Sequence, residues 1–488
     1  MIIKDNPEFI FQYTFDSSNF KGNAQKVYIP ESREELIEII LNCYNNNEKI
    51  TIAGAGTGIT GARVPFGGSV ISTEKLNKIL EIGSNYVIVE PYVTLSQLSE
   101  ELDKYNLFLP PNPTEINASI GGNVSTNASG ARTFKYGAIR DWVLELEIIL
   151  SNGEILNLKR GEIIASNSKL ILITNNSTYE IPIKDIGMPN IKNASGYYIK
   201  DNMDAIDLFI GSEGTLGVIS KIKLKIINKP ENIFGGIIFF DDDNKLIDFV
   251  EELRDISIIN NKLDYKENNE ISARLIEYFD RNSLELIRNK FPQIPFQSIG
   301  AIWFEQEYCD KYEDEIIEKW NNFIIKNTTL YEDTWIATNE KEHNRLREFR
   351  HELPLQVYEN LSANSQTKVG LDTAVPTKNL RKLYENYHKI FSNLDLQNVI
   401  FGHIGNSHLH ANIFCKNDDE YKLAMNIYDE IIKITLDYGG TISAEHGIGK
   451  LKKKYLKLMY GEQKVNYMKQ IKQILDKKNL LNVGNIFD

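Results

Sequence analysis

The sequence predicts an α+β protein of two domains. Three observations carry that expectation. The chain has 488 residues, 42% of them hydrophobic, so it can bury a large core. Up to about residue 228, short β-branched runs alternate with glycine-rich turns. From Lys229 onward, helical periods dominate, with strands between them. No internal repeat or linker tract is visible, so the main boundary is placed near residue 228.

Taken in order, Met1 to Lys26 contains Asp5, Glu8, Asp16 and Lys21 and no apolar run, so it does not read as a targeting segment. Pro30-Glu31-Ser32 opens a predicted helix through Asn42, with Leu36, Ile39 and Ile40 on one face. Strands are expected around residues 49–53, 69–73 and 86–90. Val143 to Ser151 reads as a strand, and Asn152-Gly153 after it as a hairpin turn. Residues 160–190 read as a second hairpin region, and Ile219 to Ile227 as another strand. Ala424, Ile427, Tyr428, Ile431 and Ile434 share one helical face, and Gly439-Gly440 stops that helix.

Composition excludes several classes. Lys plus Arg is 55 and Asp plus Glu is 67, a net charge of −12, which argues against sequence-independent nucleic-acid binding. No apolar stretch has the length of a membrane span. Cys43, Cys309 and Cys415 cannot make a disulfide framework or a four-thiolate iron–sulfur cluster. Cys43, in the tail of the first predicted helix, reads as a small core hydrophobe. A reducing, cytoplasmic setting is expected, with any membrane association made through a partner. All 7 His lie at or beyond His343.

Three segments before residue 228 carry the binding chemistry. Gly54-Ala55-Gly56-Thr57-Gly58-Ile59-Thr60-Gly61 follows a strand end, and its glycines let successive N–H groups converge on a diphosphate. No Lys follows Gly58, so it is not a P-loop, and Pro65, Gly67 and Gly68 interrupt the helix a dinucleotide fingerprint needs. The second segment runs from Pro110 through Pro111 and Thr114 to Ser119-Ile120-Gly121-Gly122, Thr126 and Gly130. Its small, neutral residues can lie flat against a large planar cofactor. The third, Phe209 to Ile219, places Glu213 between two glycine turns, where its carboxylate suits a ribose or a backbone anchor.

The last third carries acid–base chemistry. Residues 402–412 include His403, His408, His410 and Asn412, and residues 443–450 include Glu445 and His446. Two His plus a carboxylate is a common donor set for a catalytic divalent metal. His408 and His410 share a strand face and their tips would crowd one ion, which favours His408 as a group that orients a ligand.

Together these segments resemble the FAD-binding PCMH-type (vanillyl-alcohol-oxidase-type) flavoproteins, in the branch that oxidises D-2-hydroxy acids: D-lactate dehydrogenases, the flavoprotein chains of glycolate oxidase and D-2-hydroxyglutarate dehydrogenases. The resemblance runs from about Tyr28 to Asn485. It implies a two-subdomain FAD-binding domain and an α+β cap domain with an antiparallel sheet. The divisions are 1–25 for an N-terminal segment, 26–228 for the FAD domain, 229–450 for the cap and 451–488 for a segment returning to the FAD domain.

The resemblance assigns residues. Gly54, Ala55, Gly56, Thr57, Gly58 and Gly61 would hold the diphosphate. Pro111, Thr114, Gly121, Gly122, Thr126 and Gly130 would line the path of the adenosine and isoalloxazine. Glu213 and Ile219 would also contact FAD. Leu481-Asn482-Val483-Gly484-Asn485 would bring Asn482 near the flavin. With no His before residue 343, a histidyl flavin in this domain is excluded, so dissociable FAD is expected. His403, His410 and Glu445 would ligate a divalent metal (Zn, Fe or Mn), with His446 as the general base and Asn412 nearby. Arg350, four residues before Pro354, would bind the substrate carboxylate. The family's second cation is missing at Gly370, and Lys368 is the substitute on the same strand face. Absence of a second cation would favour a small monocarboxylate such as D-lactate over a dicarboxylate such as D-2-hydroxyglutarate, and glycolate stays an alternative. Electrons would pass to a separate acceptor: an electron-transfer flavoprotein, an iron–sulfur subunit, a quinone or oxygen. A homodimer is among the assemblies left open. Two other readings compete: a non-redox flavoprotein resembling alkylglycerone-phosphate synthase, and a zinc hydrolase built on the His/Glu cluster alone.

Overall fold

The computed structural model describes residues 1–488, which form two compact units. The first comprises Met1–Ser129, Ala138–Asn228 and Ile442–Asp488; the second comprises Gly130–Gly137 and Lys229–Thr441.

The first unit holds two main sheets. One has four strands in the order Ile2–Lys4, Lys26–Ile29, Ser69–Ser72, Ile50–Ala53. Its last three strands are parallel, which requires a crossover, and helix Arg33–Asn45 supplies one. Ser32 caps that helix by accepting the N–H of Glu35 at 3.2 Å. Leu36, Ile39, Ile40 and Cys43 recur at helical spacing, and all four are buried against the sheet residues Tyr28, Ile50 and Ile71. The other sheet has five antiparallel strands, in the order Ile79–Ile82, Tyr86–Val89, Val218–Lys225, Val143–Ile149, Ile155–Lys159. The hairpin joining Val143–Ile149 to Ile155–Lys159 turns at Gly153, where φ is +79°. A separate hairpin pairs Lys169–Ile173 with Thr178–Pro182.

The second unit is built on one antiparallel sheet of seven strands. Their order is Trp335–Ala337, Asn232–Phe240, Gly300–Tyr308, Ala273–Asp280, Asn398–Gly402, His408–Cys415, Thr367–Ala374. Helix Glu340–Ala363 covers one face through Leu346, Phe349, Leu353 and Val357, whose spacing of three and four makes a single apolar stripe. Phe349 meets Phe279 edge-on, with ring centroids 5.1 Å apart. Helix Glu313–Asn327 sends Trp320 to stack on Phe304 of the sheet at 3.8 Å.

The division departs from the sequence expectation in three places. Residues 1–25 are not a separate segment, because Ile2–Lys4 pairs with Val27–Ile29. Residues 442–450 belong to the first unit, not to the cap. Ser443 O accepts the N–H of Ala194 at 2.9 Å, and the Glu213 carboxylate accepts the N–H groups of Ile448 and Gly449. Gly130–Gly137 belongs to the second unit. Lys135 pairs with Glu307 at 2.7 Å, and the Tyr136 hydroxyl bonds the same carboxylate. These departures share a cause: each rests on a partner far away in sequence, which local patterning does not encode.

Candidate functional site

In the first unit, strand Ile50–Ala53 ends at the glycine loop, and helix Ile120–Thr126 starts opposite it. Ser119 joins them, since its Oγ accepts Ala55 N–H and Gly122 N–H, each at 3.4 Å. Between loop and helix lies a cleft of about 870 Å³, open solvent at its mouth included. Gly54, Ala55, Gly56, Thr57, Gly58, Gly121, Gly122, Thr126, Glu213, Ile219 and Asn482 all line it. The glycines are sterically required at two positions. Gly56 has φ +81°, and a Cβ on Gly121 would stand 2.8 Å from both Cβ and O of Pro91. The cleft thus offers backbone N–H groups and short hydroxyls around a volume that fits a dinucleotide-sized cofactor.

Four assigned residues do not line this cleft. Pro111 is buried away from it, and Thr114 is exposed. Gly61 lies past the loop, its carbonyl facing Lys450 Nζ at 3.4 Å. Gly130 is counted in the second unit, where its N–H is taken by Thr133 Oγ1 at 2.9 Å.

Glu213 contributes its main chain to the cleft, at φ +53°. Its carboxylate, 3% exposed as a residue, turns away to accept Ile448 N–H at 2.7 Å and Gly449 N–H at 2.8 Å. It is therefore a backbone anchor for the C-terminal segment. Burial pushes its pKa up to about 7, against the opposing pull of those N–H groups and of Lys450 and Lys452. Asn482 ties the same region together. Its Nδ2 donates to Glu213 O at 2.9 Å, and its Oδ1 accepts Ile52 N–H at 2.8 Å.

Glu445 and His446 also lie in the first unit. Glu445 Oε2 accepts both Ser129 Oγ–H at 3.1 Å and Lys192 Nζ at 2.6 Å, while Oε1 is 3.6 Å from His446 Nε2. The Lys192 side chain is only 2% exposed. Neither Lys192 nor Ser129 was legible in the sequence, because their partner lies 253 and 316 residues away.

In the second unit, the register sets Asp372 opposite His410 and Gly370 opposite Asn412. Strand alternation then puts His408, His410 and Asn412 on one face. Gly402, at φ +134°, ends the neighbouring strand, and a Cβ there would sit 3.0 Å from the His410 ring. His403 follows it. Ring centroids are 4.3 Å apart for His408 and His410, 5.5 Å for His403 and His410, and 5.2 Å for His403 and His408.

Two of these imidazoles are backed by fully buried carboxylates. His403 Nδ1 is 2.5 Å from Glu277 Oε1, and His408 Nε2 is 2.9 Å from Asp372 Oδ1. The hydrogen-bonded Glu277 carboxylate fixes the tautomer and ring plane of His403, the usual outer support of a metal-ligating His. Glu277 serves Arg350 too, accepting from its Nε at 3.1 Å. Burial raises the proton affinity of Glu277, but His403 and Arg350 outweigh it and hold the carboxyl below its ordinary range. Arg350 Nη1 is buried with no hydrogen-bond partner, and the guanidinium lies 5.4 Å from the Phe401 ring centre. The arrangement can hold a nitrogen-ligated divalent metal and an anion.

Lys368 is not brought to the histidines. It pairs with Phe414 in register, four strand residues (~13 Å) from Asp372. Its ammonium sits over Tyr358, 4.6 Å from the ring centre. His343 and His388 have structural roles, bonding Ile233 O and the Tyr278 hydroxyl. Glu277 was missed by sequence reasoning, since nothing local distinguishes one glutamate in a buried strand.

Residues 24–159 match the family described as FAD binding domain, and residues 265–486 match FAD linked oxidases, C-terminal domain. The chain is 26% identical to the glycolate oxidase subunit GlcD of Bacillus subtilis (strain 168), over 100% of this chain and 97% of that protein. It is 28% identical to a D-lactate dehydrogenase of Anaerostipes hadrus, over 97% of this chain and 92% of that one. Among solved structures, an alkyldihydroxyacetonephosphate synthase superposes with a TM-score of 0.69 at 17% identity, covering 98% of this chain and 81% of that chain, which shows a shared fold.

Proposed function

The chain belongs to the FAD-linked oxidases, and from that premise we propose that it oxidises a D-2-hydroxy acid, D-lactate favoured, to the 2-oxo acid. It is an FAD-dependent oxidoreductase of the D-2-hydroxyacid dehydrogenase type. The observation that carries the substrate reading is the buried, unpartnered Nη1 of Arg350 beside the histidine face. A guanidinium nitrogen left without an acceptor in a buried site is matched by a carboxylate ligand.

In this reading, bound FAD supplies the hydride acceptor and a bound divalent metal supplies Lewis acidity at the substrate hydroxyl. His403, His410 and Glu445 would hold the metal. Glu277 holds His403 in one orientation, and Lys192 with Ser129 holds Glu445 Oε2. Arg350 binds the substrate carboxylate, with Asn412 nearby. His446 takes the hydroxyl proton at an imidazole nitrogen. With Lys368 occupied at Tyr358, no second cation is assigned, which supports a monocarboxylate. Electrons leave to a separate acceptor.

Anaerobic flavin reduction across D- and L-2-hydroxy acids, with and without chelator, tests this. Bleaching of the flavin band by D-lactate, slowed by metal removal, is expected. Reduction by L-isomers only would overturn the substrate assignment. Full activity after complete metal removal would overturn the metal role. Absence of bleaching with every 2-hydroxy acid would favour a non-redox flavoprotein.

A further inference from the structure

One charged side chain enters the otherwise neutral cofactor cleft. Arg63 follows the glycine loop and folds back beneath it. Its Nη1 donates to Gly54 O at 3.0 Å, and its Nη2 donates to Gln12 O at 2.7 Å. The Tyr13 ring centre is 5.7 Å from the guanidinium. A Cβ on Gly56 would overlap Nη1, so the guanidinium packs directly against the loop backbone. Arg63 lines the same cleft as Gly54–Gly58.

No carboxylate pairs with this cation. Asp16 is nearby, but its Oδ1 accepts from the N–H and hydroxyl of Ser18 and it makes no ion pair with Arg63. Glu74 is taken by the Tyr13 and Ser72 hydroxyls. Nε of Arg63 is buried with no partner. A largely buried guanidinium bonded only to carbonyls keeps most of its desolvation cost. A ligand that brings negative charge to the loop would offset it. The loop's N–H groups are partial charges, so they neutralise only part of a doubly charged diphosphate.

We propose that Arg63 is a binding residue for the cofactor's diphosphate, supplying from below the loop the full positive charge that the backbone donors lack. This rests on the FAD reading of the cleft and not on the substrate assignment. Arg63 thereby selects a dinucleotide over uncharged flavins.

The test is FAD retention by the purified holoenzyme. The Kd is read from flavin fluorescence on dilution, at several NaCl concentrations and without substrate, so failure of the D-2-hydroxy acid reading would leave it intact. Arg63→Gln should weaken FAD binding ~10–100-fold at low salt, the range of a charge-assisted hydrogen bond. It should also flatten the dependence of Kd on salt, because a screened charge pair has been removed. Arg63→Lys keeps the charge and loses the fork, so it should retain the salt dependence with a smaller loss of affinity. A Kd for Arg63→Gln within twofold of the parent would overturn the proposal. So would a loss that is equal at all salt concentrations, as expected if Arg63 only ties Gln12 to Gly54. Should Arg63→Gln fail to fold, loss of the salt dependence in Arg63→Lys overturns it as well.

Discussion

The cleft of the first unit and the histidine face of the second solve opposite problems. The cleft must let a long ligand approach the main chain, so its wall is made by removing side chains. At Gly121 even a methyl group would meet Pro91, and apart from Arg63 the cleft offers mainly backbone N–H groups, short hydroxyls and amides. The histidine face must hold reactive side chains still, so its wall is made by adding them. His403 leans on Glu277, His408 on Asp372, and Arg350 on the other oxygen of Glu277. Backbone recognition is insensitive to residue identity except at glycine, whereas side-chain recognition depends on each partner. Substitutions in the two regions should therefore fail in different ways.

The largest contrast comes from His403→Ala. It should lower kcat/KM by ~10³ and reduce bound metal, as measured by elemental analysis, while the flavin stays bound. Loss of flavin in this variant would mean that the two regions are not separable. Next comes Glu213, the buried carboxylate that anchors the C-terminal segment beside the cleft. The Glu213 pKa, raised by burial to about 7, exceeds its ordinary 4.5. Between those values the native state keeps a proton that the unfolded chain has released. Its contribution to stability therefore falls as pH rises through that window, by ~3 kcal/mol in all. Denaturant unfolding at pH 5 and pH 7.5 should show this slope, and Glu213→Gln should remove it.

Gly121→Val should cost FAD binding ~1–3 kcal/mol through overpacking against Pro91, giving pale protein whose metal content is unchanged. Spectrophotometric flavin content together with elemental analysis checks both halves. Glu277→Gln should have an effect of similar size, ~10–100-fold in metal affinity or turnover, because it loosens His403 and Arg350 without removing either. Competition with a chelator measures the first. An unaltered metal affinity would show that Glu277 supports only Arg350.

Much of this was legible before the structure. The glycine loop, Gly121-Gly122, Glu213, the histidine cluster and the change of texture at residue 228 are local patterns, and periodicity with turn chemistry is a local property of the chain. Cys43, expected as a core hydrophobe, is fully buried in helix Arg33–Asn45. Local pattern was least informative where a role depended on an unseen neighbour. Lys368 shares a strand face with Asp372, but only packing decided that its ammonium would cover Tyr358. Thr114 and Pro111 sit in a recognisable motif, but neither is among the residues that line the cleft.

By itself, then, the sequence determined which residues were available and in what spacing: neutral glycine segments first, every histidine late. Tertiary structure alone decided the pairings, Glu277 with His403 and Arg350, Lys192 with Glu445, Arg63 with Gly54. The reason is physical. A glycine's permissiveness and a strand's alternation act within a few residues, whereas a buried charge is tolerable only beside its partner, and the fold alone brings Lys192 to Glu445 across 253 residues.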